Sequence, residues 1–246
     1  MSWTDFQRAV KQNRLVILPV GSLEQHGPHL PLGTDTLTVR ALAQRVATKT
    51  RGIVAPEISY GFKPQPGSSA GNNFPGTCSL DGTTLTALVR NVVRELIRFK
   101  VHQIMILDGH YENGLFVNEG VELALKDAGI PKHAKVVIVR WFDLIPSSFF
   151  IRLFGRRFEG MMYEHASKVE TSLMMALNEK SVQKTRMKND RPRLRSSYTV
   201  FPESKEFIPR SGVLSSVFPS SAKMGASVLN RAVAEIVKIA RKEFPE

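Results

Sequence analysis

Side chains able to hold a metal ion cluster in two short stretches of this sequence. LPVGSLEQHGPHLPLGTD, from Leu18 to Asp35, carries Glu24, His26 and Asp35, and LDGHYEN carries His110 and Glu112. The first stretch contains an E-x-H pair and the second an H-x-E pair. In an extended segment, residues two apart point the same way, so each pair can address one site. Two histidines and three carboxylates exceed what one tetrahedral zinc takes. They suit a two-ion site in which one carboxylate bridges. The donors are nitrogen and oxygen only, which admits zinc or manganese without choosing between them. Cys78 is the only cysteine, so neither an internal disulfide nor a thiolate-rich zinc site is available. No serine sits in a G-x-S-x-G elbow, and Cys78 in PGTCSLD has no evident histidine partner, which disfavours a covalent nucleophile. His29, His102 and His133 read as loop and surface histidines outside the site.

The elements that must position these residues alternate along the chain. Short apolar runs at Leu15–Val20, Gly52–Pro56, Gln103–Gly109 and Lys135–Trp141 read as strands. Between and after them come helical patterns: LTVRALAQRVATKT, TTLTALVRNVVRELIRFK with a broad apolar stripe, NGLFVNEGVELALKDAG with a glycine stop, HASKVETSLMMALNEK, and AKMGASVLNRAVAEIVKIARKEF. Strand and helix in alternation predict an α/β fold with a mostly parallel sheet and helices on both faces. Such sheets place ligands at the carboxyl ends of their strands. Glu24 and His26 follow the first strand, and His110 and Glu112 follow the third, so both pairs are expected at one edge. A Gly/Ser/Pro/Asn-rich stretch runs from Tyr60 to Gly82, long enough to be functional or an interface element.

Composition bounds the rest. The chain has 246 residues, 42% of them hydrophobic, which is enough for a sizeable core and fits one domain spanning 1–246. No apolar run approaches the ~20 residues of a membrane span. MSWTDFQRAVKQNR lacks the apolar centre of a signal peptide, so a soluble cytoplasmic protein is expected, with no membrane partner. The net charge of +12 raises the question of nucleic acid. The basic clusters at Arg152–Arg157 and Lys184–Arg195 lack interleaved aromatics and sit on no helix-turn-helix or finger, so a nucleic-acid partner is not expected.

LPVGSLEQHGPHLPLGTD, NNFPGTCSLDG, LDGHYENGLFVNEG and EHASKVETSLMMAL resemble the creatininase (creatinine amidohydrolase) family, over about Leu18 to Lys223. The resemblance implies a three-layer α/β/α sandwich, a homo-oligomer that is commonly a hexamer, and two divalent ions, zinc or manganese. Carried over by motif, the ligands are Glu24, His26, Asp35, His110 and Glu112, with Asp35 bridging. His165 matches the family's proton-shuttling histidine and, with Glu112, is the expected catalytic pair. Glu170, in the same EHxxxxETSL motif, is expected to support the site. Asp108 stands where asparagine is usual before Gly-His, and is expected to partner a ligand histidine.

Tyr111, Trp141 and Phe142 are the expected substrate contacts, together with Met161 and Met162. These two methionines stand where the family has a tryptophan and an aspartate. The implied reaction is hydrolysis of a cyclic amide, with creatinine to creatine first. Deformylation of a formamido-pyrimidine nucleotide is the alternative within the family, and a non-enzymatic basic binding protein the alternative outside it.

Overall fold

The computed structural model describes residues 1–65, 71–129, 134–156, 158–190, 198, 200–202 and 208–245. Four parallel strands form one sheet: β1 Val16–Val20, β2 Ile53–Val54, β3 Gln103–Asp108 and β4 Lys135–Arg140, in the order β2-β1-β3-β4. All four apolar runs read from the sequence are strands, the second shortened to two residues. β1 pairs with β3 from Val16↔Ile104 to Val20↔Asp108. The chain goes from β1 to one side for β2 and returns on the other side for β3. The direction of winding therefore reverses between β1 and β3, and a crevice opens at their carboxyl ends. Because Val20 lies opposite Asp108, the two segments that follow leave the sheet side by side.

Pro19 sits inside β1, where a missing N–H normally breaks the ladder. Here it breaks nothing. Leu15, Ile17 and Pro19 turn their carbonyls to the β2 side, accepting from Ile53, Ala55 and Ile58. β2 ends at Val54, so no strand faces the proline for want of a donor.

Helices cover both faces. α1 Trp3–Lys11, α3 Gly82–Arg98 and α4 Gly114–Asp127 lie on one side, and α2 Thr34–Thr50, α6 Lys168–Asn178 and α7 Ala222–Glu243 on the other. The strands feed both layers by alternation. Val16, Leu18, Ile104 and Ile106 join Leu85, Val89 and Val117 in one core, while Ile17, Met105 and Leu107 join Leu42, Leu173 and Ile236 in the other. Each such side chain, fully buried, contributes about 1.5–3 kcal/mol. This is the three-layer sandwich with a parallel sheet. No described helix is long and apolar enough to cross a membrane.

Several boundaries differ from the sequence reading. α2 starts at Thr34, so Asp35 lies in the first turn of a helix rather than in the loop before it. A carboxylate there is favoured by the positive end of the helix dipole. The helix expected from His165 starts only at Lys168, behind Ser167 and an Ala166 with φ of 53°. α1 and a short α5 (Ser147–Phe154) are additional to the helices read from the sequence. α1 buries only Ala9, and is held at its start by a Ser2–Asp5 capping box. Arg152, Arg156, Lys184, Arg186 and Lys188 are exposed, while Arg157, 191–195 and His133 lie outside the described residues.

Candidate metal centre

The segment after β1 folds back on itself. Gly27, at φ +64°, turns the chain, and Glu24 N–H donates to the Leu32 carbonyl at 3.0 Å. This brings Glu24, His26 and the first turn of α2 together. All three side chains are buried: Glu24 and His26 are 1% exposed, Asp35 4%. On the β3 side, Asn113 acts as a pin. It donates to the Gly21 carbonyl (3.1 Å) and to Asp108 Oδ1 (3.0 Å), and its own Oδ1 accepts Phe62 N–H (2.8 Å). Asp108 Oδ1 also accepts His110 N–H at 3.2 Å. Asp108 thus meets His110 through the backbone of that histidine.

Asp35 stands between the two imidazoles. Its Oδ1 is 3.2 Å from His26 Nε2 and its Oδ2 is 3.1 Å from His110 Nδ1. The other nitrogen of each ring faces a backbone carbonyl. His26 Nδ1 is 3.0 Å from Glu24 O, and His110 Nε2 is 3.0 Å from Phe62 O. A ring nitrogen against a carbonyl must carry hydrogen, which leaves the nitrogen toward Asp35 as the one free to bind a cation. Glu24, Asp35 and His110 offer donor atoms within 4.8 Å of one another, as do His26, Asp35 and Glu170, and Glu24, His26 and His165.

Glu170, read from the sequence as support, therefore lies among the donors, 3.7 Å from His26 Nε2. Glu112, read as a ligand, lies across the His110 ring from Asp35, 3.4 Å from Nε2, and belongs to none of these three groups.

The charges here are unbalanced without a cation. Burial pushes the Glu24 carboxyl up to about 7, against the pull of His110 and His26. Asp35, despite burial, is held well below the usual carboxylate range by both histidines. Burial would lower His26 and His110, but the surrounding carboxylates win. His26 rises well above its ordinary value under Asp35 and Glu170, and His110 rises to about 10 under Asp35, Glu112 and Glu24. In the metal-free chain the imidazoles thus supply the positive charge the carboxylates need. A pair of divalent cations would supply it instead, expelling those protons. Nitrogen and oxygen donors, burial and pre-set ring orientation all fit such a pair.

A cavity of about 70 Å³ opens on the donors. Tyr111, Trp141, Phe142, Met161 and Met162 all line it, with Glu112 and His165. Trp141 and Phe142 are buried into the core, whereas Tyr111 and Met162 are half exposed at the rim. Tyr111 stacks on Phe142 at 6.1 Å, and the Arg140 guanidinium lies over both rings at 5.5 and 5.4 Å. Arg140 is itself paired with Asp143 at 2.7 Å. Among the described residues, no lysine or arginine lines the cavity. Burial, then His26, holds His165 well below its ordinary pKa, so its ring is neutral.

Two neighbours of the site were not picked out in the sequence. Glu164 lines the cavity at 2% exposure, and burial pushes its carboxyl up to about 8. Gln25 hydrogen-bonds His165. Both stand beside residues that were singled out, which is the one signal that pointed to them. His29 corrects an expectation. It is fully buried, with Nε2 2.9 Å from Thr171 Oγ1, because the turn at Gly27 sends the segment under α6 and not outward.

Three comparisons bear on this geometry. The family model for creatininase, described as creatinine amidohydrolase, matches residues 1–240. The creatinine amidohydrolase of Pseudomonas putida is 38% identical over 250 residues, covering 100% of this chain and 96% of that protein. Among solved structures, a mutant creatininase of the Zn–Zn type has a TM-score of 0.96 at 36% identity, covering 100% of this chain and 97% of that one. A manganese creatininase has a TM-score of 0.95 at 37% identity, with the same coverage.

Proposed function

The chain belongs to the creatininase family, and from that premise we propose that it opens the ring amide of creatinine to give creatine, at a centre of two divalent cations, zinc or manganese. Membership makes it a metal-dependent hydrolase of cyclic-amide C–N bonds. The observation that carries the finer reading is Asp35, whose two oxygens each face a ring nitrogen of a different histidine at 3.2 and 3.1 Å. We assign Glu24, Asp35 and His110 to one ion and His26, Asp35 and Glu170 to the other. When bound, the pair supplies Lewis acidity, lowering the pKa of water and drawing charge from an amide oxygen.

The remaining roles fall to this chain's own side chains. Glu112 lines the cavity and backs the Nε2 side of His110, so removing it disturbs both the cavity's charge and a ligand's orientation. We assign it the proton of the attacking water. An amide nitrogen leaves only when protonated, and His165, neutral and lining the same cavity, is assigned that transfer. The rings of Tyr111, Trp141 and Phe142 offer flat apolar faces to a planar heterocycle. The absence of lysine and arginine among the described lining residues favours a substrate without phosphate over a formamido-pyrimidine nucleotide.

The test is creatine release from creatinine by protein loaded separately with manganese and zinc, with Glu112→Gln alongside. Metal-dependent release that chelation abolishes and the variant lacks supports the reading. No release from fully loaded protein discards creatinine and sends the search to other cyclic amides.

A further inference from the structure

Gln25 lies between two proposed ligands and is itself 4% exposed. Among the described residues, its amide meets three partners. Oε1 accepts Gly27 N–H at 2.8 Å, and Nε2 donates to the Gly212 carbonyl at 2.9 Å. The third contact is His165 Nε2, 2.9 Å from Gln25 Nε2. The first two fix which end of the amide is which. Turning it over would set its oxygen against the Gly212 carbonyl and its hydrogens against Gly27 N–H. Gly212 has φ of +76°, and a Cβ there would run into the Gln25 amide, so only glycine lets this loop come so close. The same loop holds the other partner, since Leu214 N–H donates to the His165 carbonyl at 3.1 Å.

The glutamine nitrogen bears only hydrogens and lies 2.9 Å from His165 Nε2, so that ring atom can only accept from it. His26 and His110 are arranged the other way, each donating one ring N–H to a backbone carbonyl and turning the other nitrogen to Asp35. The His165 nitrogen nearest the donors is the one Gln25 occupies, because Nε2 is 3.8 Å from Glu24 Oε1.

We propose that Gln25 is a positioning residue that fixes His165 as the neutral tautomer with its hydrogen on Nδ1 and its Nε2 lone pair engaged. This keeps the ring from coordinating a cation beside Glu24 and reserves it for proton transfer. The proposal rests on the reading of His165 as the proton carrier, but its state in the resting protein can be tested without turnover. A proton arriving at Nε2 displaces the Gln25 N–H, and its departure restores that bond.

Ring-nitrogen-15 histidine labelling with magic-angle-spinning NMR reads the tautomer directly, with His165→Ala assigning the signals. The parent is expected to show Nδ1 protonated and Nε2 bare. Gln25→Glu keeps an acceptor for Gly27 N–H but faces His165 with another acceptor, so the ring hydrogen moves to Nε2. Should that variant not fold, Gln25→Met removes the donor and leaves a mixture of both tautomers. Loading with cadmium-113 is expected to split ring nitrogens of His26 and His110 but none of His165. A protonated Nε2 in the parent, an unchanged tautomer in the folded variants, or cadmium coupling to His165 each overturns the proposal. Failure of creatinine as substrate would leave all three readouts intact. If creatinine is turned over, Gln25→Glu lowers kcat with KM little changed.

Discussion

Replacing Glu164 by glutamine isolates one buried proton. The side chain is 2% exposed; Oε2 accepts Val169 N–H at 2.9 Å, while Oε1 is buried without a hydrogen-bond partner among the described residues. Burial raises its carboxyl from 4.5 to about 8, partly offset by that N–H and by Lys168. In the unfolded chain the group loses its proton near 4.5; in the folded chain it keeps it to about 8. Below the lower value both states are protonated, and the stability this group contributes is fully present. As pH rises between the two values, folding takes up a proton, so that stability falls and is lost above the higher one. At about 1.4 kcal/mol per unit of pH, the gap corresponds to at most about 5 kcal/mol.

Glutamine keeps the acceptor for Val169 and cannot ionise. Urea unfolding of the metal-free parent and of Glu164→Gln at about pH 5, 7 and 9 gives the two stability curves. The stability of the variant relative to the parent is expected to rise by several kcal/mol across that range. Asp108 and Glu24 are also pushed up by burial, but they are present in both proteins and cancel in the difference. A difference that stays constant with pH would refute the buried-proton argument.

Asp35→Asn removes the anionic oxygen pair between His26 and His110. Metal analysis of dialysed protein is expected to show about one ion or fewer instead of two, with turnover reduced by about a hundredfold or more. Two retained ions would take Asp35 out of the bridging position. Gly71→Ala places a Cβ against the Glu24 carboxylate and Pro64. A stability loss of about 1–3 kcal/mol and weaker zinc binding in chelator competition are expected, and unchanged zinc affinity would show that the segment yields freely. Met162→Asp places a carboxylate at the half-exposed rim. The expected result is a lower KM for creatinine with kcat and thermal stability nearly unchanged, and an unaltered or higher KM would sink the assignment of this position to recognition.

β1 and β3 were legible because strands buried on both faces read as unbroken apolar runs, and their order along the chain already set Glu24, His26, His110 and Glu112 at one edge. The rest depends on distance in sequence. Glu170 reaches His26 only because α6 packs beside α2, and no local pattern encodes that approach. Gln25 reads as filler between two metal-capable residues until Gly212, 187 positions away, fixes its amide. Glu112 was placed by its alternation with His110; the segment there forms a tight 3₁₀ turn (Tyr111–Asn113) instead of extended chain, and the two side chains nevertheless meet at 3.4 Å and line one cavity. His29 was misread because a histidine beyond a proline looks like a loop tip, while the backbone turn at Gly27 is a property of angles and not of composition.

The winding reversal between β1 and β3 also sets a timetable for synthesis. Chains fold from the N-terminal side as they are made. Glu24, Asp35 and His110 have all been made once β3 is available to pair with β1, before β4 exists. The layer of α1, α3 and α4 can close over its face of the sheet at about the same stage. Glu170 is added later, and the second apolar face waits longer still, for α7. The two donor groups thus mature in sequence, one while the growing chain still presents half of its core to the surroundings.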